Sequence, residues 1–172
     1  MPIEPDTKNW TWVLERKCPE CGFDAAGVSL ADLPDVLRDN IASWPAVLAR
    51  PDVNVRRDDS TWSPLEYGAH VRDVFRIFLG RLNLMLAEHD PEFVNWDQDA
   101  TAVAARYADE DPKRVSDELV EAGTALADSF ERLPAEAASR TGRRSDGSRF
   151  TVESLGRYLL HDVVHHRWDV RG

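Results

Sequence analysis

TVESLGRYLLHDVVHHRWDV, residues 151–170, is the stretch whose reading decides the fold. A helix advances about 100° per residue, which places Val152, Leu155, Leu159, Val163 and Val170 on one apolar side. Three of the five histidines and two aspartates fall within residues 161–169 of the same helix. His166 and Asp162 lie on or beside the apolar side, one turn apart. His161 and His165 form a second i,i+4 pair that points more to the side. A single histidine on such a face is ordinarily a hydrogen-bonded core residue. Three of them with a carboxylate between point to a site, because burying so many polar groups costs several kcal/mol unless they are paired or metal-bound.

Upstream lies TGRRSDGSRF, residues 141–150, where SDGS predicts a tight turn or small hairpin. Arg143, Arg144 and Arg149 concentrate positive charge there in an acidic molecule. They suit an anionic substrate carboxylate or phosphate, or equally salt bridges to neighbouring acids.

Three further helices precede it. Leu33, Val36, Leu37, Ile41, Trp44 and Val47 recur at three and four residues, which predicts a one-sided helix over 30–48, with Ser29 and Asp32 in a capping-box-like pair. Pro45 threatens a kink. A charged connection over 50–60 leads to a second helix that starts with Ser63 or Thr61 as cap and Pro64 in the first turn, and runs through Ala87. His70 lies at the edge of its apolar side. Pro112 opens another helix that ends near Leu133, with Val115, Leu119, Leu126 and Phe130 inward. Between them residues 88–121 carry eleven acids against three bases. Residues 89–111 read as a long crossover with a helical insert over 101–107, anchored by Phe93, Trp96 and Tyr107. His89, beside Asp90 and Pro91, reads as surface.

Four long amphipathic helices without a convincing run of strands predict an all-α antiparallel four-helix bundle with an extended N-terminal arm and a long middle crossover. We expect the arm over 1–28 and one bundle domain over 29–172. The chain of 172 residues suits a single core. With 21 basic against 31 acidic residues, general nucleic-acid binding is not expected. No run of apolar residues is long enough for a membrane span and no signal pattern is visible, so the expected compartment is the cytoplasm.

Cys18 and Cys21, in CPECG, are the two cysteines. Such a pair can be redox-active, or half of a zinc knuckle completed by histidines or carboxylates from elsewhere. The plain alternative is a knuckle-like turn stabilised by Pro19 and Gly22.

Histidines aimed into a bundle from two helices can build a metal centre. A divalent zinc, nickel, iron or manganese ion held by His70, His166 and one further group leaves positions open for water or substrate, the arrangement expected of catalysis. WSPLEYGAHV, residues 62–71, followed by HDVVHHRWDV, residues 161–170, resembles the DinB-like superfamily of four-helix metal-binding proteins. That superfamily includes thiol-dependent transferases and the N-terminal domain of mycothiol-dependent maleylpyruvate isomerase, and the resemblance spans roughly residues 30–170.

The resemblance implies a metal held by one residue of the second helix and two of the last. The family's common ending has a histidine, a three-residue gap, then histidine and arginine. Aligned on His166-Arg167 it puts Asp162 at the first position. The isomerase-like branch has a carboxylate there and an aspartate three after the histidine, matching Asp162, His166 and Asp169. Helix direction also favours His70, Asp162 and His166, and the competing set is His70, His161 and His165. The expected function is a metal-dependent thiol transferase or isomerase-like enzyme, with zinc or nickel foremost and a low-molecular-weight thiol such as mycothiol as co-substrate. Tyr67 or Tyr158 would donate a proton, and Arg143, Arg144 or Arg149 would hold an anionic group. The other class is a non-catalytic metal-binding stress or interaction protein, dimerising through bundle helices.

Overall fold

A computed structural model describes residues 9–171, so the part of the expected arm over 1–8 lies outside the described residues. Among the described residues are five α-helices: α1 (Leu33–Leu48), α2 (Pro64–Ala87), α3 (Gln98–Ala104), α4 (Pro112–Glu131) and α5 (Val152–Asp169). Three short strands, β1 (Glu92–Phe93), β2 (Thr141–Arg144) and β3 (Arg149–Thr151), form a small sheet. α4 packs against both α1 and α2, and α5 lies against the same two helices. The bundle thus runs α1, α4, α2, α5 around its core, with Trp44, Phe75, Leu33, Leu82 and Leu159 among the side chains shut inside.

Local chemistry sets the helix ends. Ser63 caps α2 by accepting from the Glu66 backbone N–H while Glu66 reaches back to the Ser63 N–H, and Pro64 occupies the first turn. Thr151 and Ser154 make the same reciprocal pair at α5. Ser29 and Asp32 do bond each other, Oγ to Oδ2 at 2.6 Å, but they close a turn, and α1 begins only at Leu33. Pro45 sits inside α1 without ending it.

The crossover departs from the simple reading. Its helical insert is α3, three residues earlier than 101–107, because Asp97 rather than a later residue caps it by accepting from the Ala100 N–H. A 3₁₀ turn at Tyr107–Asp109 follows. β1 pairs in parallel with β2, and β2 with β3 antiparallel, so the predicted hairpin is present and the crossover is stitched to it. Phe93 and Tyr107 are buried. The arm is wound as 3₁₀ turns at Trp10–Leu14 and Ala25–Gly27. Among the described residues no helix is long and apolar enough to cross a membrane.

α5 is held against α1 with no room to spare. A Cβ on Gly156 would stand 2.2 Å from Leu33 Cδ1 and 3.1 Å from Phe130 Cε1. Alanine is favoured over glycine inside a helix by about 1 kcal/mol, but overpacking a filled core costs about 1–3 kcal/mol, and the clash decides the sign. Gly156→Ala is therefore expected to lower the urea midpoint. A raised midpoint would mean that the two helices separate easily.

Candidate metal centre

α2 and α5 each turn a polar row toward their common seam. His70, from the middle of α2, has no exposure to solvent, and neither ring nitrogen has a hydrogen-bond partner. Its ring stacks on Trp96 of the crossover, centroids 5.5 Å apart and planes 6° from parallel. An orphaned buried nitrogen costs about 1–3 kcal/mol. An imidazole in such a place calls for a ligand, and α5 supplies its neighbours. His70 Nε2 lies 4.0 Å from Asp162 Oδ2, and His166 Nε2 lies 3.6 Å from Asp162 Oδ1. One donor atom from each of the three residues falls within 4.8 Å of the other two. Two imidazoles and a carboxylate suit zinc, nickel or iron, so the residues fit an ion here.

His166 is oriented from behind: its Nδ1 lies 3.0 Å from Asp169 Oδ2. That contact leaves Nε2 facing Asp162, as in metal sites where a carboxylate fixes the far side of a ligating imidazole. Burial, then the neighbouring His166, holds His70 well below its ordinary value, so the ring is neutral and has a lone pair to give. Burial raises the Asp162 carboxyl, against the pull of His166 and His165.

Asp162 and His166 border a cavity of about 300 Å³, and His70 stands behind them, outside its lining. Trp62, Tyr67 and Tyr158 line it, with Trp10 and Glu20 of the arm opposite. The Tyr67 ring stands 5.2 Å from that of His166. Burial is the main cause raising both phenols, with Asp169 next for Tyr67 and Asp162 next for Tyr158, so both keep their protons at neutral pH. A smaller adjoining cavity shares Gln98, Tyr158 and Asp162 and adds Arg81, Arg144 and Asn95.

The arginines sort themselves accordingly. Arg143 and Arg149 both bind Asp90, at 2.8 and 2.7 Å. They fasten the hairpin to the crossover, because Asp90 in a left-handed turn, φ 47°, aims its carboxylate at both guanidinium groups. They are not brought to the three-residue cluster. Arg144 is brought near it, beside Tyr158 and Asp162. Sequence reasoning missed Arg81, whose guanidinium lies over Phe78 and Phe93, each at 5.3 Å. Its signal was faint, since a lone arginine on a helix flank reads as surface.

The set of His70, His161 and His165 is not assembled. His161 and His165 are buried, 4 % and 8 % exposed, on a different side of α5, where they meet Cys18 and Cys21. Helix direction along α5 separates the two i,i+4 pairs by about 100°, and the arm fills that second direction. The CPECG segment forms the expected knuckle-like turn: the Gly22 N–H donates to Cys18 O at 3.0 Å and the Cys18 N–H to Phe23 O at 2.9 Å. Gly22, at φ 75°, takes the left-handed position that the turn demands. Burial pushes the Cys21 thiol up to about 11. Reactive CxxC thiols are shifted the other way, which argues against redox use.

The profile of the DinB superfamily matches residues 24–170. No curated protein matches the chain. Among solved structures, YfiT from Bacillus subtilis, a probable metal-dependent hydrolase with an unusual four-helix bundle topology, aligns with a TM-score of 0.73. The alignment covers 84 % of this chain and 88 % of that one at 19 % identity, a likeness of fold.

Proposed function

The chain belongs to the DinB superfamily, and from that premise we propose a metal-dependent enzyme in which His70, Asp162 and His166 hold a divalent ion beside a small-molecule cavity. The observation that carries this reading is His70, wholly buried with two unpartnered nitrogens and facing two potential ligands. Zinc or nickel suits the donors best. Three protein ligands leave a position open, unlike a closed structural site. The bound ion would make water or a thiol a stronger nucleophile at neutral pH and polarise a substrate oxygen.

The chain's own groups do the rest. Tyr158 and Tyr67, kept protonated by burial, donate hydrogen bonds to an oxygen that gains charge. Arg81 and Arg144 receive an anionic group of the substrate in the adjoining cavity. Trp62 and Trp96, packed against His70 at 5.2 and 5.5 Å, keep water off its ring. Asp169 keeps His166 turned inward.

The nucleophile separates two reactions. Asp162, His166 and Asp169 repeat the pattern of the isomerase-like branch, which supports a low-molecular-weight thiol such as mycothiol, hence thiol transfer or isomerisation in the cytoplasm. The likeness to YfiT supports water and hydrolysis as the second reading.

Tag-free protein loaded with zinc is assayed for ester hydrolysis and for thiol transfer to an anionic electrophile, and its metal content is compared with that of His70→Ala and His166→Ala. The expected result is turnover that needs the ion, with about one equivalent of metal lost in each variant. Arg143→Gln keeps activity, whereas Arg81→Leu raises KM more than it lowers kcat. Equal metal content in all three proteins would reject the site. Full occupancy without turnover by either nucleophile would leave a metal-binding protein without catalysis.

A further inference from the structure

The second row of polar groups on α5 has its own partners, from the part of the chain that the family profile does not reach. That profile begins at residue 24, whereas Cys18 and Cys21 precede it. The two thiols and the rings of His161 and His165 place one donor atom each within 4.8 Å of the other three, although the cysteine turn and α5 are far apart in sequence. Cys18 Sγ lies 3.7 Å from His165 Nδ1. Donors around a tetrahedral zinc at about 2.0–2.3 Å stand roughly 3.3–3.8 Å apart, so one edge already has the right length and the others need shifts on the order of 1 Å.

We propose that Cys18, Cys21, His161 and His165 form a four-ligand structural zinc site that fastens the N-terminal arm to α5.

Several independent features agree. Two cysteines three apart and two histidines four apart have the spacing of structural zinc ligands. The cysteine turn, with its two backbone hydrogen bonds and left-handed Gly22, presents both sulfurs to one side. His161 is 4 % exposed and its Nε2 has no hydrogen-bond partner, so the ring brings to the cluster a buried nitrogen that no protein group satisfies. His165 Nδ1 faces Cys18, and its far nitrogen, Nε2, lies 3.4 Å from Glu20 Oε2 and 3.8 Å from Asp169 Oδ1. Carboxylates behind a ligating imidazole fix its orientation. Thiolate and imidazole together favour zinc over magnesium or calcium, and Trp10, stacked on His161 at 5.6 Å, covers the cluster. Four protein ligands leave no open position, so the site is structural. It secures Trp10 and Glu20, which line the cavity beside Asp162 and His166.

Cobalt(II) added to tag-free full-length protein after chelation is the test, because thiolate-bound cobalt absorbs in the near ultraviolet and tetrahedral cobalt absorbs strongly in the visible. Wild type and His70→Ala should both show these bands, and zinc should remove them. The Cys18→Ser, Cys21→Ser double variant should lack them and contain about one equivalent less zinc than wild type. Zinc should also slow alkylation of the wild-type thiols roughly tenfold or more, a reading that needs no variant to fold. A wild-type cobalt spectrum without the thiolate band, or a purified chain whose mass is lower by the two hydrogens of a disulfide, would overturn the proposal. Because His70 belongs to the other cluster, loss of the His70 centre alone leaves the thiolate band in place and separates the two sites.

Discussion

His70→Leu is expected to make the metal-free protein more stable and to abolish its response to manganese. The ring has no exposure and both its nitrogens lack partners. Each unmade hydrogen bond costs about 1–3 kcal/mol, while the lost stacking on Trp96 is worth about 0.5–1.5 kcal/mol. Leucine has similar bulk, so the net gain without metal is about 1–3 kcal/mol. With metal the order reverses, since an ion at a thousand times its Kd stabilises the folded wild type by about 4 kcal/mol. Manganese is the suitable probe because thiolates bind it poorly, which leaves the cysteine cluster out of the comparison. Urea unfolding with and without manganese measures both quantities. A metal-free variant weaker than wild type would show that His70 serves the fold through ordinary contacts, and the ligand assignment would fail.

Arg72→Met is expected to lower stability by about 3–5 kcal/mol, the cost of breaking an ion pair whose cation is buried and leaving three partly buried carboxylates together without it. Arg72 is 5 % exposed. It binds Glu110 through two nitrogens at 2.9 Å each, Glu118 at 3.0 Å and Asp73 at 2.9 Å. Tyr107 donates its phenol proton to the same Asp73. One guanidinium thus ties the end of the crossover to α2 and α4. For a chain of this size the loss corresponds to a melting temperature lower on the order of 10 °C. Burial by itself would raise the Glu110 carboxyl, and the Arg72 hydrogen bonds outweigh it and hold the group below its ordinary 4.5. Stability from this pair is therefore complete above pH 4.5 and is lost as pH falls through the lower folded value. The variant should unfold less steeply with acid over that range. An unchanged melting temperature and an unchanged acid limb would show that water serves those carboxylates as well as Arg72 does.

What could be read from the chain was what neighbouring residues decide among themselves. Ser63 and Pro64 announce the start of α2 because cap and first turn are adjacent, while the reciprocal acceptor Glu66 completes the cap in the folded chain. That Asp162 and His166 share one side of α5 followed from turning the helix about its axis, but His161 and His165, expected to point more to the side, are the more buried pair. Partners fixed by distant packing stayed hidden. His161 and His165 have a direction on the same helix, but only the folded arm shows that Cys18 and Cys21 occupy it. Arg143 and Arg144 are adjacent in sequence, yet alternation along β2 sends one to Asp90 and the other toward Tyr158. β1 is two residues long and its partner lies some fifty residues on, so no local pattern marks it.

Asp169 stands between the two histidine pairs, with Oδ2 3.0 Å from His166 Nδ1 and Oδ1 3.8 Å from His165 Nε2. One carboxylate thereby braces a donor of each cluster from the rear. Were ions held in both clusters as proposed, a tighter hold on one ring would be felt at the other, and thermodynamic reciprocity would make the influence equal in both directions. The supply of one cation would then bear on how firmly the other is kept.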